Sequence, residues 1–303
     1  MVIAYLSMIK PVKALIPLIA VFFGGLLVIG WDFQHLSGYS PLYPALLAVF
    51  LIAGGGNIIN DYFDAESDRI NHPKRPIPSG KASRRGALVL SAMFFLAGVL
   101  FAAFINWPAF IIAVVNSLLL ALYSSQLQNK IYTGNILIGY LIGSSILFGG
   151  IAMNNVVLPI WLGLLLGLSV ISREMIKDLE DAEGDRKSIL KRLASKFRKA
   201  STPITEKFGI PSKSVEVKVN KRITILLSAV SLMAAVVISP MPYIFGVLGF
   251  NYLMAIIPAD IVLFFTVYQL NNINGKANYR TVQKMIKLGI LLTLIAFIVA
   301  IWF

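Results

Sequence analysis

Nine apolar runs, each close to the length that crosses a lipid bilayer, take up most of this 303-residue chain. Runs of about 17–25 apolar residues, broken by polar or Gly/Pro-rich stretches, are the mark of spanning helices. They predict spans at 12–30, 41–59, 87–106, 108–126, 134–153, 156–175, 222–239, 243–270 and 284–303. The eighth run is long and holds Pro258 and Asp260, which predicts a kink or break near its middle. Lys10 and Lys13 ahead of the first run would suit a signal peptide. No small-residue cleavage site followed by a soluble domain appears, so the run is read as a span.

The distribution of charge tests these spans. With the N-terminus inside, the inner segments hold Lys10 and Lys13, six cations from Arg69 to Arg85, Lys130, fourteen from Arg173 to Arg222, and four from Lys276 to Lys287. Together these are all 27 Lys and Arg of the chain; the outer connections carry none. A wrong helix count would scramble that partition, so the expectation is nine spans, a cytoplasmic N-terminus and an outer C-terminus. The fold class is therefore an all-α, polytopic membrane protein.

Composition supports this and removes the competitors. Only 14% of residues are charged and 57% are hydrophobic, against about 25% charged in soluble domains. Such a chain cannot cover a water-exposed surface, which excludes a soluble globular enzyme and a disordered segment. The net charge of +13 imitates a nucleic-acid footprint, but sorted to one membrane face it sets topology instead, and no nucleic-acid partner is expected. The absence of cysteine removes disulfides, thiolate metal sites and cysteine nucleophiles.

Acidic residues need a separate explanation, because they contribute little to topology. Twelve of the fourteen fall in inner segments, the exceptions being Asp32 and Asp260. Asn57, Asp61, Asp64 and Asp68 follow one another by four, three and four residues, as do Glu174, Asp178, Asp181 and Asp185. On a helix each set forms one stripe. Like charges at these spacings destabilise a helix, and a merely solvated face would alternate sign. Two carboxylate stripes at inner membrane mouths therefore read as cation sites. Oxygen ligands without His or Cys select hard ions, Mg²⁺ above all where phosphate shares the metal. Asn60 adds a neutral oxygen that can ligate or orient a neighbour.

The pattern Asn60-Asp61-x-x-Asp64-x-x-x-Asp68, with Asp178-x-x-Asp181-x-x-x-Asp185 more than a hundred residues later, resembles the UbiA superfamily of intramembrane prenyltransferases. The segment from Asn71 to Gly80, and Tyr123-Ser124 followed by Gly134-Asn135, are similar to further regions of that family. The resemblance covers nearly the whole chain. It implies one transmembrane domain over 1–303, with nine helices around a central cavity open to the cytoplasm and laterally to lipid. It further implies transfer of a prenyl group from an allylic diphosphate to a lipophilic acceptor. Asp61, Asp64, Asp68, Asp178, Asp181 and Asp185, with Asn60, would hold metal, two Mg²⁺ ions being expected. Asn57, Asn60, Lys74, Arg75, Tyr123 and Lys130 would contact diphosphate. Lys74 and Arg75 can equally retain topology and touch lipid headgroups, and Lys130 can be a plain positive-inside anchor. Tyr123 either faces a developing cation or sits as an interfacial tyrosine.

Several features leave alternatives open. Gly139, Gly143, Gly149 and Gly150 permit close helix packing or a prenyl tunnel. Asp260 is a functional candidate by default inside a membrane, or it satisfies a broken helix beside Pro258. Residues from about 186 to 220 depart from the family as an insert. Within it Ile189, Leu190, Leu193 and Phe197 recur at helical spacing among basic residues, which predicts an amphipathic helix on the inner leaflet. It would attach to anionic lipid, close over the site or attract a phosphorylated acceptor. Among family branches the pattern is most similar to archaeal members that transfer geranylgeranyl groups to geranylgeranylglyceryl phosphate. Transferases acting on 4-hydroxybenzoate or another quinone precursor are the second reading. A cation-coupled transporter is a third, from a different class.

Overall fold

The computed structural model describes residues 2–30, 40–128, 130–199, 220–271 and 276–302, and for 2, 131, 184–199, 276 and 277 the backbone alone. The described chain is helical throughout, in the order α1 (Val2–Met8), α2 (Pro11–Ile29), α3 (Leu42–Phe63), α4 (Ala65–Asn71), α5 (Arg84–Ala103), α6 (Trp107–Leu122), α7 (Ile131–Ala152), α8 (Val157–Lys199), α9 (Lys221–Ile238), α10 (Met241–Ile244), α11 (Phe250–Asn271) and α12 (Lys276–Trp302). Among the described residues, nine helical stretches are long and apolar enough to cross a membrane, and each overlaps one predicted run. Their outward faces stay apolar. Leu96, Leu118, Ile261 and Phe264 are exposed, which suits lipid rather than water.

Boundaries differ where the sequence held a competing signal. The eighth span begins at Phe250, because residues 241–244 form the short α10 before a turn. Of the expected kink or break, the break does not occur: α11 runs as one helix from Phe250 to Asn271 with Pro258 inside it. Asp260 is not compensating a broken helix. Its carboxylate accepts a hydrogen bond from Ser239 Oγ at 2.7 Å, and the Ser239 carbonyl accepts from Tyr252 Oη at 2.7 Å. This network ties the end of α9 to α11. The sixth span continues well beyond 175, and α8 is helical without interruption for 43 residues.

Two apolar clusters build the bundle. One joins Leu162, Leu166 and Ile176 of α8 to Leu232, Tyr252, Ile256 and Phe297. The other packs Ala45, Ala48 and Ile52 of α3 against Ala102, Ala109, Ala113 and Phe148. α7 and α8 approach closely enough that glycines must face each other. A Cβ on Gly143 would lie 2.7 Å from the Gly163 carbonyl oxygen, and one on Gly163 would lie 2.8 Å from that of Gly143. The α7 glycines thus serve packing rather than a tunnel. Gly143→Leu is expected to wedge α7 from α8 and to lower the thermal midpoint of the detergent-solubilised protein by several degrees, since overpacking a tight interior costs about 1–3 kcal/mol. Thermal unfolding checks this.

A third, smaller cluster lies at the end of the bundle that carries the first acidic stripe. Met8 and Ile9 pack with Ile58, Ala82 and Ala87, flanked by Tyr5, Tyr62 and Ile77. Tyr5 Oη accepts from the Ser83 backbone N–H at 3.1 Å and lies 3.3 Å from Ser83 Oγ. Ser83 in turn caps α5 by accepting from the Gly86 N–H. These contacts anchor α1 and the 72–83 loop around the end of α3, where the first acidic stripe lies.

Candidate active site

The first stripe keeps its register across a helix break. α3 ends at Phe63 and α4 starts at Ala65, but Asp64 retains right-handed helical backbone (φ −75°, ψ −6°). The Asp64 N–H still donates to the Asn60 carbonyl and the Asp68 N–H to the Asp64 carbonyl, both at 2.9 Å. Asp61 and Asp68 are buried and each has a cation. Lys10 Nζ sits 2.6 Å from Asp61 Oδ1, while the Arg75 guanidinium reaches Asp68 Oδ2 at 2.6 Å and Asp61 at 3.8 Å. Burying a carboxylate without such a partner would cost several kcal/mol.

Lys10 achieves its contact in a left-handed backbone conformation, φ 50° and ψ 63°. For a non-glycine residue this costs about 1–2 kcal/mol. It persists because the surroundings hold it: Asn57 Nδ2 donates to the Ile9 carbonyl at 2.8 Å, tying the α1–α2 junction to α3. Asn57, predicted to contact diphosphate, spends that donor on positioning the chain. Lys10, read in sequence as a topological charge, belongs to the site.

Asp64 differs from its two neighbours. Its oxygens accept from Gln128 Nε2 at 3.2 and 3.3 Å, and Gln128 Oε1 accepts from Asn60 Nδ2 at 2.7 Å. Burial raises the Asp64 carboxyl above its ordinary range; the Gln128 hydrogen bond opposes this, and the nearby Asp68 charge adds to it. Among the described residues its hydrogen-bond partner is a neutral amide, which leaves lone pairs for a ligand.

The second stripe lies on one unbroken helix, α8. Asp178 accepts from Asn135 Nδ2 at 2.7 Å, again a neutral amide. Glu174 pairs with the Arg173 guanidinium and with Lys177 Nζ at 3.2 Å, so its charge is satisfied locally. Asp181 is exposed one turn further on. Asp185 falls where only the helix backbone is described. Glu180, off the stripe, accepts from Arg280 Nε at 2.8 Å and Gln283 Nε2 at 3.0 Å, docking α8 on α12.

What joins the stripes is the α6–α7 junction. Tyr123–Leu127 forms a π turn, closed by the Gln128 N–H donating to the Tyr123 carbonyl at 2.8 Å; such turns recur at functional sites. The charges of Asp64, Glu174 and Asp178 all act on the Tyr123 hydroxyl. Gln128 then holds the first stripe and Asn135 the second. A Cβ on Gly134 would lie 2.8 Å from the Leu127 carbonyl and 3.6 Å from the Tyr123 ring, so glycine lets the junction close. Lys130 is exposed at the start of α7 and makes no ion pair among the described residues. Lys74 is also exposed. It lines two clefts beside the 72–83 loop, of about 570 and 410 Å³, and Arg75 lines the second of them.

Sequence reasoning gave neither Gln128 nor Asn135 a role: a lone amide in a short connection has no periodicity to betray Gln128, and Asn135 entered only as part of a stretch similar to the family. Their shared feature, visible only afterwards, is that they flank the sole basic residue of that loop. Asn135→Ala should leave the fold intact and lower turnover by about 10–100-fold, the usual cost of removing the group that orients a ligating carboxylate. Steady-state kinetics beside a thermal melt would check it.

Among the described residues, nine helices are long and apolar enough to span a membrane, and Gln128 and Asn135, either side of the α6–α7 junction, each hold a carboxylate of a different acidic stripe. Residues 18–291 match the model of the UbiA prenyltransferase family, and the chain belongs to that family. It is an integral, multi-pass membrane protein, and the transporter reading is set aside. A relative from Methanococcus maripaludis (strain S2), digeranylgeranylglyceryl phosphate synthase, is 34% identical over 98% of this chain and 97% of its own length. A solved structure concerned with digeranylgeranylglyceryl phosphate synthase in membranes is also 34% identical. It covers 99% of this chain and 98% of its own, with a TM-score of 0.81. A UbiA homolog from Archaeoglobus fulgidus, bound to GPP and Mg²⁺, shares the fold at 17% identity, with a TM-score of 0.61 over 97% of this chain and 99% of its own.

Proposed function

We propose that this chain transfers a geranylgeranyl group from geranylgeranyl diphosphate to the free hydroxyl of geranylgeranylglyceryl phosphate, forming the second ether of an archaeal-type lipid. The observation that carries this reading is the convergence of both acidic stripes on the Tyr123–Asn135 junction at one membrane mouth. The near full-length likeness to the Methanococcus relative supports the choice of acceptor over 4-hydroxybenzoate. In the reaction the allylic C1–O bond breaks and C1 bonds to the acceptor hydroxyl oxygen. The hydroxyl proton leaves and diphosphate is released.

The donor set fits Mg²⁺. Among the described residues no three acidic, His or Cys side chains form a closed cage, and Mg²⁺ is ordinarily held by one or two carboxylates together with substrate phosphates. Asp61, Asp64 and Asp68, with Asn60, would hold one of two ions; Asp178, Asp181 and Asp185 would hold the other. The chemistry Mg²⁺ supplies when bound is neutralisation of the leaving diphosphate as charge develops. Gln128 and Asn135 orient Asp64 and Asp178, which have no ion pair among the described residues. Arg75, held between Pro73 and Pro76, stabilises the leaving group, with Lys74 and Lys130 adding charge at the rim. Tyr123 presents its ring toward the allylic cation. The prenyl chain occupies a central cavity open laterally to lipid.

The N-terminus is cytoplasmic, the C-terminus outside and the site on the cytoplasmic side, a reading supported by the confinement of all 27 cations to inner segments. Residues 1–303 form one domain; of the 186–220 insert, residues 186–199 continue α8 as helical backbone, and 200–219 lie outside the described residues. The test is purified protein with Mg²⁺, labelled geranylgeranyl diphosphate and both acceptors. Prenylation of geranylgeranylglyceryl phosphate, with none of 4-hydroxybenzoate, is expected; the reverse preference would overturn the reading.

A further inference from the structure

The segment after Lys74 folds back on itself. The Ser79 N–H donates to the Arg75 carbonyl at 3.0 Å, the Gly80 N–H to Ile77 at 3.1 Å and the Ala82 N–H to Pro76 at 3.0 Å. Gly80 turns the chain with a left-handed backbone, φ 75°, which glycine adopts without strain. Lys74 and Lys81, at the two ends of this turn, therefore line one cleft of about 570 Å³. The opposite wall is α1, through Ile3, Ala4 and Ser7. Tyr5 fastens the walls together, its Oη accepting from the Ser83 N–H at 3.1 Å.

No Asp or Glu lines the cleft. Both lysines are exposed, and neither has an ion pair among the described residues. The arginines nearby are committed, Arg75 to Asp68 at 2.6 Å and Arg84 to Glu66 at 3.3 Å with its guanidinium over the Tyr62 ring. Ser7 Oγ donates to the Ala4 carbonyl at 2.7 Å, which leaves the ammonium groups as the cleft's side-chain donors. The outer face of α1 is a second mark. Met8 is buried, whereas Ile3 and Leu6, one turn apart, are 82% and 55% exposed. An apolar strip beside a pair of cations suits a segment lying at the headgroup level of a bilayer.

We propose that this cleft binds the phosphate headgroup of a bilayer lipid, with Lys74 and Lys81 on the phosphate and the lipid chains along Ile3 and Leu6. The occupant is distinct from the reacting acceptor. A glyceryl phosphate ether carries its free hydroxyl at most two carbons from its phosphate, so a reacting acceptor keeps that phosphate beside the acidic stripes, and no stripe residue lines this cleft. Lys74 also lines the neighbouring cleft with Arg75, the residue that holds Asp68. A headgroup on the two lysines thereby braces the loop that carries Arg75, and so couples membrane charge to the first stripe.

The test places the full chain in nanodiscs of phosphatidylcholine with a rising fraction of phosphatidylglycerol, and counts retained phosphatidylglycerol by native mass spectrometry. Lys81→Gln should need about fivefold more phosphatidylglycerol than wild type for equal occupancy, the weight of one lysine at an anionic surface. Lys81→Arg should bind like wild type. Lys284→Gln, which removes an exposed cation of α12 away from the cleft, should change nothing. Equal retention by wild type and Lys81→Gln, or an equal loss in Lys284→Gln, would reduce the cleft to ordinary surface charge and overturn the proposal. Displacement of the bound lipid by a short-chain alkylglycerol phosphate, but not by phosphatidic acid, would give the cleft to the acceptor and overturn it too. Prenyl turnover should rise several-fold from phosphatidylcholine to phosphatidylglycerol nanodiscs in wild type and stay flat in Lys81→Gln. Lipid retention without that rise would remove the bracing role. The lipid count is read without substrate, so it decides the site whether or not the proposed acceptor is correct.

Discussion

Asp64→Ala is expected to reduce Mg²⁺-dependent release of diphosphate from an allylic donor by about a thousandfold, and Asp181→Ala to do the same from the facing stripe. Asp64 is the more informative position. Its carboxylate is half-buried and, among the described residues, is held by the Gln128 amide alone. Removing it strands no cation, so thermal stability should change little. Asp61 and Asp68 are different, because each is buried against Lys10 or Arg75. Truncating either leaves a partly buried positive charge unpaired, at a cost of about 3–5 kcal/mol, and loss of activity there would mix misfolding with chemistry. A collapse of kcat in Asp64→Ala with an unchanged melting curve identifies a functional carboxylate. Full turnover by both the Asp64 and Asp181 variants would remove the stripes from the active site.

Chelation gives the second large effect. EDTA should bring prenyl transfer to background, and Mg²⁺ should restore it completely. The melting temperature of the protein without diphosphate should barely respond, because Lys10 and Arg75 already neutralise the two buried carboxylates of the first stripe. With diphosphate present, Mg²⁺ should raise it, since a ligand that binds only the folded state stabilises by mass action. Turnover that survives exhaustive chelation would contradict the role given to the stripes.

These contrasts trace what was legible in the chain and what was not. Spans and stripes were legible because both are periodic. An apolar run of bilayer length and carboxylates at steps of four, three and four each leave a local signature. The stripe from Asn57 to Asp68 even survives the break at Asp64, since that residue keeps helical backbone. Partners from elsewhere in the chain left no such mark. Lys10 meets Asp61 across 51 residues of sequence, and Gln128 meets Asp64 across 64. Lys10 looked like one of many inner-face cations, and Gln128 like an ordinary polar loop residue. The continuity of α11 through Pro258 was hidden for another reason: proline's effect on a helix depends on what surrounds it, and inside a membrane neighbouring groups compensate. The glycines of α7 were ambiguous until the facing α8 glycines were known, because only the pair Gly143 and Gly163 reveals a backbone contact.

The central claim is that two acidic stripes, from α3–α4 and from α8, hold one metal–diphosphate complex between them. Mn²⁺ binding followed by electron paramagnetic resonance, with and without inorganic diphosphate, tests it most directly. Wild-type protein is expected to bind two Mn²⁺ ions cooperatively with diphosphate and to show dipolar coupling between them. Asp64→Ala and Asp178→Asn should each abolish the coupled signal. Two uncoupled ions, or a coupled pair that survives either substitution, would contradict a shared site.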